Sequence, residues 1–236
     1  MHIDDSIPAD TALSRLPNFD PRMAPVIGID THLPAVDAQA LAPDALRQRF
    51  LAPPNWEPEL WSERKFAERQ PARASVLVPI VMRERPTVLL TERTTHLSTH
   101  SGQVAFPGGK RDATDIDDTH TALREAHEEI GLAADQVEVI GQMPTYTTGT
   151  QFIITPVVAL VNPGHRLALN AFEVADAFEV PLDFLMNPAH HHRHALEWAG
   201  ARREWFSIPY MDGSTERFIW GATAAMLRNF YRFVSA

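Results

Sequence analysis

The stretch from Gly108 to Leu132 constrains this chain more than any other part of it: a Gly-Gly turn, an acidic loop, then a run with three glutamates at helical spacing. In an α-helix Glu125, Glu128 and Glu129 stand at i, i+3 and i+4, so their carboxylates share one face within about two turns. Ala122, Leu123, Ala126 and Ile130 give an apolar face, Asp117, Asp118 and Thr119 offer N-terminal caps, and Gly131 offers a C-terminal stop. The spacing therefore predicts a helix over His120 to Ile130. Like charges stacked on one face cost stability unless a cation compensates. Arg124 can pair with Glu128 at i+4, yet one guanidinium cannot neutralise three carboxylates. Hard divalent cations take oxygen ligands of this kind, and the glycine pair could offer a backbone carbonyl to the same ion.

Around this segment the apolar pattern is that of short strands. Ser75 to Met82 and Thr87 to Thr91 read as consecutive antiparallel strands, with Pro79 favouring an edge or a bulge in the first. Gln103 to Phe106, Val137 to Gly141 and Phe152 to Val161 read as further strands, Phe178 to Leu185 as a strand closing into a turn, and Asp212-Gly213 as a turn between two more. Asp44 to Leu51 predicts a short helix, Trp61 to Glu68 a second, and the tail from Ala222 an amphipathic third through Met226, Leu227, Phe230, Tyr231 and Val234. Residues 1–40 differ: Pro8, Pro17, Pro21, Pro25 and Pro34 interrupt any helix or ladder. The expected organisation is an irregular arm over residues 1–41, draped on the body or mobile, and one domain over residues 42–236. Strands that outnumber helices and alternate with them irregularly imply the α+β class, a mixed β-sheet with helices on its faces.

Composition removes several function classes. Lys and Arg total 21 against 30 Asp and Glu, a net charge of −9, which argues against binding a nucleic-acid backbone. The absence of cysteine excludes a disulfide scaffold, a zinc-thiolate site and a thiol nucleophile. No apolar run approaches the roughly 18–20 residues of a membrane span, and Met-His-Ile-Asp-Asp lacks the basic start of a secretory signal. The expectation is a soluble, cytoplasmic protein that acts on a small molecule; a homodimer is allowed, with the arm as a candidate for exchange between subunits.

The joint occurrence of Gly109, Arg124-Glu125, Ala126, Glu128-Glu129 and Gly131-Leu132 resembles the Nudix box, which runs Gly, five residues, Glu, seven residues, Arg-Glu, an aliphatic residue, any residue, Glu-Glu, any residue, Gly, an aliphatic residue. The loop departs from the pattern: Asp115 stands in for the first Glu, and eight residues precede Arg124. The resemblance implies a Nudix fold, a mixed β-sheet sandwiched between α-helices, and hydrolysis of a nucleoside diphosphate linked to another group. It also implies that Glu125, Glu128 and Glu129, with the carbonyl of Gly109, hold Mg²⁺ or Mn²⁺. Bound there, such ions neutralise pyrophosphate charge and lower the pKa of a bound water.

Upstream, Leu89-Leu90-Thr91-Glu92-Arg93, Gly102 and Phe106-Pro107-Gly108-Gly109 resemble the coenzyme A pyrophosphatase branch of that family, as do Thr155-Pro156 and Trp220-Gly221. The likeness spans about residue 42 to the C-terminus, with Thr94 in place of the branch's Ser or Ala and Ser98 in place of its second Arg. The implied reaction splits coenzyme A into 3′,5′-ADP and 4′-phosphopantetheine. Arg93 is a candidate phosphate contact or a structural ion pair, Phe106 a pocket wall or core, and Lys110 a pyrophosphate contact or a solvated loop residue. Glu125 or Glu173 is the candidate general base, with Glu173 also a candidate ligand. The run His190, His191, His192 and His194 reads as a polar surface loop. Two other functions stay open: hydrolysis of another nucleotide derivative such as ADP-ribose or a dinucleotide, motivated by Ser98, and a non-catalytic nucleotide-binding domain, which the three intact glutamates count against.

Overall fold

A computed structural model describes residues 19–63, 70–94, 102–198 and 201–236. Its elements in chain order are β1 (Val26–Ile29), α1 (Pro43–Leu51), β2 (Ala72–Val81), β3 (Thr87–Arg93), β4 (Val104–Ala105), β5 (Gly108–Lys110), α2 (Asp118–Ile130), β6 (Val137–Gln142), β7 (Tyr146–Thr147), β8 (Phe152–Val161), β9 (Val174–Pro181), α3 (Leu182–Leu185), β10 (His192–Trp198), β11 (Ala201–Asp212), β12 (Thr215–Trp220) and α4 (Gly221–Val234). β1, β10, β11 and β12 make a four-stranded antiparallel sheet; the remaining eight strands make a mixed sheet.

The long strands of the mixed sheet read as continuous apolar runs because both faces are covered. Leu77, Val81, Val157, Ala159 and Val161 face one way and pack with Ala122, Ala126 and Ile130 of α2. Val78, Ile80, Val158 and Leu160 alternate onto the other face and pack with Leu227 and Phe230 of α4 and with Phe206 and Ile208 of β11. β2 and β8 run parallel in register over their full length, from Ala72 opposite Phe152 to Val81 opposite Val161.

One irregularity in this sheet positions the site. β2 and β3 pair only where their hairpin closes, Ile80 with Val88 and Val81 with Thr87, and then splay apart. The wedge between them is filled by β4, on β3, and by β5, which pairs with residues Ala74 to Val76 of β2. Pro79 sits in the gap between those two pairings, so its missing N–H breaks no ladder bond. It marks an interruption inside the sheet, and β2 is a central strand rather than an edge.

The structure changes the sequence expectation in three other places. The arm is not irregular throughout: between Pro25 and Pro34 it has room for β1, which pairs antiparallel with β10. The described part of it drapes over the body, with Val36 N–H donating to Met186 O at 3.2 Å and Tyr231 Oη to Pro34 O at 2.9 Å. No helix begins at Trp61; Ser62 instead bridges Thr147, and residues 64–68 lie outside the described residues. The histidine run is not a surface loop. His191 and His194 are buried, and His192 opens β10. The His194 ring donates to Ala24 O at 3.1 Å, accepts from Ser207 Oγ at 2.8 Å, and stacks on Trp205.

Candidate active site

α2 forms as predicted. Asp117 caps it by accepting from His120 N–H at 2.7 Å, and Gly131 ends it in the left-handed region at φ 67°. Its apolar stripe seats it against β2, and this rotation turns Glu125 and Glu129 toward β5. Gly109 is what permits the approach: a methyl group there would meet the Glu125 carboxylate well inside van der Waals contact. Glu129 is almost fully buried and accepts from Gly108 N–H at 3.1 Å, with Arg93 Nη1 at 3.7 Å.

Asp115, whose role the motif comparison left without a reason, proves to be the anchor of the loop. Its buried carboxylate takes Nε and Nη2 of Arg124 at 2.9 and 2.8 Å, His120 Nδ1 at 2.8 Å, Thr121 Oγ1 at 3.0 Å and Asp112 N–H at 2.8 Å. The Arg124 guanidinium, first, and these further donors hold its pKa far below the usual carboxylate range. Arg124 in turn reaches Glu128 and Glu125, each at 3.0 Å, and the Lys110 carbonyl at 3.2 Å. Asp115 therefore fixes the arginine that spans loop and helix, although one more residue than the motif allows separates the two.

Glu173 comes to the same place from a distant loop. Thr94 N–H donates to Glu173 O at 3.0 Å, Asn170 N–H donates to the Glu129 carbonyl at 2.9 Å, and Asn170 Nδ2 donates to the Glu173 carboxylate at 3.3 Å. These bonds staple the loop to the ends of β3 and α2. Burial pushes the Glu129 carboxyl up to about 7, and the negative charges of Glu125 and Glu173 add to it. Burial also raises Glu125, with Glu128 and Glu173 adding to it against the opposing Arg124. Glu125 and Glu129, raised by burial and by the negative charges beside them, gather around a position where positive charge is missing.

Among the described residues no three acids or histidines already converge as a metal site would require; Arg124 takes Glu125 and Glu128, while Gly108 takes Glu129. The donor set nonetheless fits a hard divalent cation. It is all oxygen, its helix carries three glutamates, and two of them have raised pKa values that a dication would reverse.

Beside this cluster opens a cleft of about 540 Å³ between the two sheets, lined at one end by Arg93, Phe106, Gly108, Gly109, Lys110 and Glu129. Phe106 is both a wall of the cleft and part of the core. Lys110 is exposed on β5, and Arg93 Nε is buried with no hydrogen-bond partner among the described residues. Arg111 turns away to Asp115 O and Ile116 O at 3.2 and 2.9 Å. Ser98, His96 and His100 lie outside the described residues.

The NUDIX domain family model matches residues 71–206. A relative named "Uncharacterized Nudix hydrolase NudL" from Enterobacter sp. (strain 638) is 40% identical over 157 residues, covering 66% of this chain and 79% of its own. Its namesake from Yersinia pestis (strain Pestoides F) is 39% identical over 163 residues, covering 69% and 80%. Among solved structures, a C. elegans Ap4A hydrolase binary complex aligns with TM-score 0.42 at 20% identity, over 50% of this chain and 85% of that one. The M. smegmatis Nudix hydrolase RenU aligns with TM-score 0.41 at 27% identity, over 52% and 74%. The chain belongs to the Nudix family. Its enzyme class is that of a Nudix pyrophosphohydrolase, and enzymes of this class work with divalent metal ions. No helix among the described residues is long and apolar enough to cross a membrane.

Proposed function

We propose that this Nudix hydrolase cleaves the pyrophosphate of coenzyme A or its derivatives, giving 3′,5′-ADP and 4′-phosphopantetheine, with Mg²⁺ or Mn²⁺ as the ion. The observation that carries the proposal is Arg93. It ends the Leu89-Leu90-Thr91-Glu92-Arg93 segment that resembles the coenzyme A branch, and it lines the cleft beside Glu129 with a buried Nε that has no hydrogen-bond partner among the described residues. A buried donor without an acceptor is costly, and a phosphate oxygen would satisfy it in a charge-assisted bond.

In this proposal Glu125, Glu128, Glu129 and the Gly109 carbonyl would hold the ion, which when bound neutralises the anhydride and acidifies water. Arg93 and Lys110 grip the phosphates from the cleft side, so that the cleft itself is less acidic than the chain as a whole. Glu125 or Glu173 takes the proton from the attacking water; burial raises the proton affinity of Glu125, as a general base near neutral pH requires. Phe106 closes the wall behind them and keeps water from the apolar side.

The test is a panel of coenzyme A, 3′-dephospho-coenzyme A, ADP-ribose and a dinucleoside polyphosphate with Mg²⁺ or Mn²⁺, with products identified by mass. Coenzyme A is expected to be cut to the two named products fastest. Preferential cleavage of ADP-ribose or of the dinucleotide would overturn the substrate assignment and leave the family unaffected.

A further inference from the structure

The cleft has a second end, chemically unlike the first. Where it crosses the large sheet its floor is a row of Lys110, Ala74, Ile154 and Tyr146, one residue from each of β5, β2, β8 and β7, paired in register. Residues paired directly across neighbouring strands share a face, and three interstrand spacings put the ends of this row roughly 14 Å apart. Lys110 marks the end beside Glu129 and the glycine turn. Glu63 marks the other.

Glu63 is held there by backbone bonds along β7: its N–H donates to Thr147 O at 2.8 Å, and Thr147 N–H donates to Trp61 O at 3.0 Å. Its carboxyl lines the cleft and accepts from Tyr146 Oη at 3.3 Å and from Gly149 N–H at 3.0 Å. No cation reaches it among the described residues, and burial pushes its pKa up. Two donors leave a carboxyl with spare acceptor sites. An acid so placed, without a cationic partner, gains from any further N–H donor brought to it. Beside it Thr148 and Thr150 are polar, while Phe152 and Ile154 are apolar parts of the lining.

We propose that Glu63 reads the base of the nucleotide, accepting a hydrogen bond from the exocyclic amine of a 6-aminopurine that lies over Ile154 and Phe152. The proposal rests on the anhydride being held at the Lys110 end, as the proposed function has it. The roughly 14 Å between the backbones of Lys110 and Tyr146, whose hydroxyl meets Glu63, is of the order of the reach from a phosphate across ribose to that amine. The rest of the cleft, toward Val104, Phe206, Trp220 and Met226, also carries Arg193, Arg202 and Arg203, and it leaves room for the other half of the substrate. A 6-oxopurine would bring a carbonyl oxygen against the carboxyl, two acceptors facing each other, and a site built to receive an amine rejects such an analogue.

The experiment compares the binding of adenosine 5′-diphosphate and inosine 5′-diphosphate to the full chain with Mg²⁺, by titration calorimetry, in wild type, Glu63→Ala and Glu63→Gln. Wild type is expected to prefer the adenine nucleotide by at least about tenfold. Glu63→Ala should lose that preference through weaker adenine binding. Glu63→Gln keeps an acceptor for Gly149 and guards against a variant that unfolds; its amide can donate to a 6-oxo group, so the preference should narrow or invert. An unchanged ratio in a folded variant, a wild type that does not distinguish the two nucleotides, or one that binds neither, overturns the proposal. These probes lack a pantetheine arm. A hydrolase of some other adenine anhydride would still pass, whereas a coenzyme A hydrolase that seats its base elsewhere would fail.

Discussion

Two groups of acids withdrawn from water sit on opposite sides of the large sheet and behave in opposite ways. Behind β10, Asp30 and Glu59 share two guanidiniums: Arg228, which is 1% exposed, at 2.8 and 2.7 Å, and Arg193 at 2.9 and 2.7 Å. Two charges of each sign cancel. Burial raises both carboxyls, but the arginines outweigh it and leave each below its ordinary value. At α2 the acids outnumber the cations, and Glu125 and Glu129 rise. The difference separates structure from chemistry. A cluster whose charges close on themselves ties the N-terminal segment, α4 and β10 together; a cluster left negative has a use for an ion from outside.

The largest break between the two should come from Glu129→Gln. The amide keeps the shape and can still accept from Gly108, so the fold should melt as wild type or slightly higher. Hydrolysis should fall by about 10⁴-fold, near 5 kcal/mol at 1.36 kcal/mol per tenfold, because an ion ligand next to the anhydride is lost. Turnover within tenfold of wild type, at saturating Mg²⁺, would show that this carboxylate is no part of the metal machinery.

Arg228→Met tests the other cluster and should give the reverse pattern. Removing one cation leaves Asp30 and Glu59 to Arg193 alone, and breaking a buried pair from one side costs roughly 3–5 kcal/mol. For a chain of this size the melting temperature should drop by roughly 6–20 °C. At a temperature where the variant is folded, kcat should stay near wild type, since Arg228, Asp30 and Glu59 are not among the residues that line the cleft. An unchanged melting midpoint would mean that the network contributes no more than an apolar contact.

The two clusters also differ in how far the sequence disclosed them. α2 and its glutamates were legible because everything that fixes them is local: the cap at Asp117, the i, i+3, i+4 stripe and the stop at Gly131. Residues of β2, β3 and β8 were legible as strands for the same reason. Their order was not, because the splay between β2 and β3 depends on β5 reaching back from a turn. The balanced cluster was invisible, since Arg193 and Arg228 meet Asp30 and Glu59 across separations of 134 to 169 residues wherever Glu59 is involved. The histidines misled because a polar run after Asn187-Pro188 has the composition of a loop; its burial comes from Ala24, Leu185 and Ser207, which no local pattern announces. Glu63 is the same case, its partners Tyr146 and Gly149 lying 83 and 86 residues away. Asp115 had a signal, the acid of the motif displaced by one, and only the helix geometry explains why the displacement is harmless.

The smallest effect, and the sharpest test of the contrast, is the sign of the pH dependence. The Glu129 carboxyl stands at about 7 in the fold, above its ordinary 4.5. The folded chain thus keeps a proton that the unfolded chain releases, and this contribution to stability, full below 4.5, is lost as pH rises through 7. Asp30 and Glu59 run the other way: depressed in the fold, their contribution is present above their ordinary values and lost as pH falls through the folded ones. His191 joins them, because burial holds it at about 4, so the stability of its neutral form is lost as pH falls from 6.5 toward 4. Mg²⁺ competes with the proton at Glu129, so it should raise the melting temperature by a few degrees at pH 8 and by much less at pH 5.5. Glu129→Gln should remove most of the increment at pH 8, while Arg228→Met should keep it. Equal increments at both pH values, or an increment that survives in Glu129→Gln, would place the ion away from the carboxylates of α2 and dissolve the contrast between the two clusters.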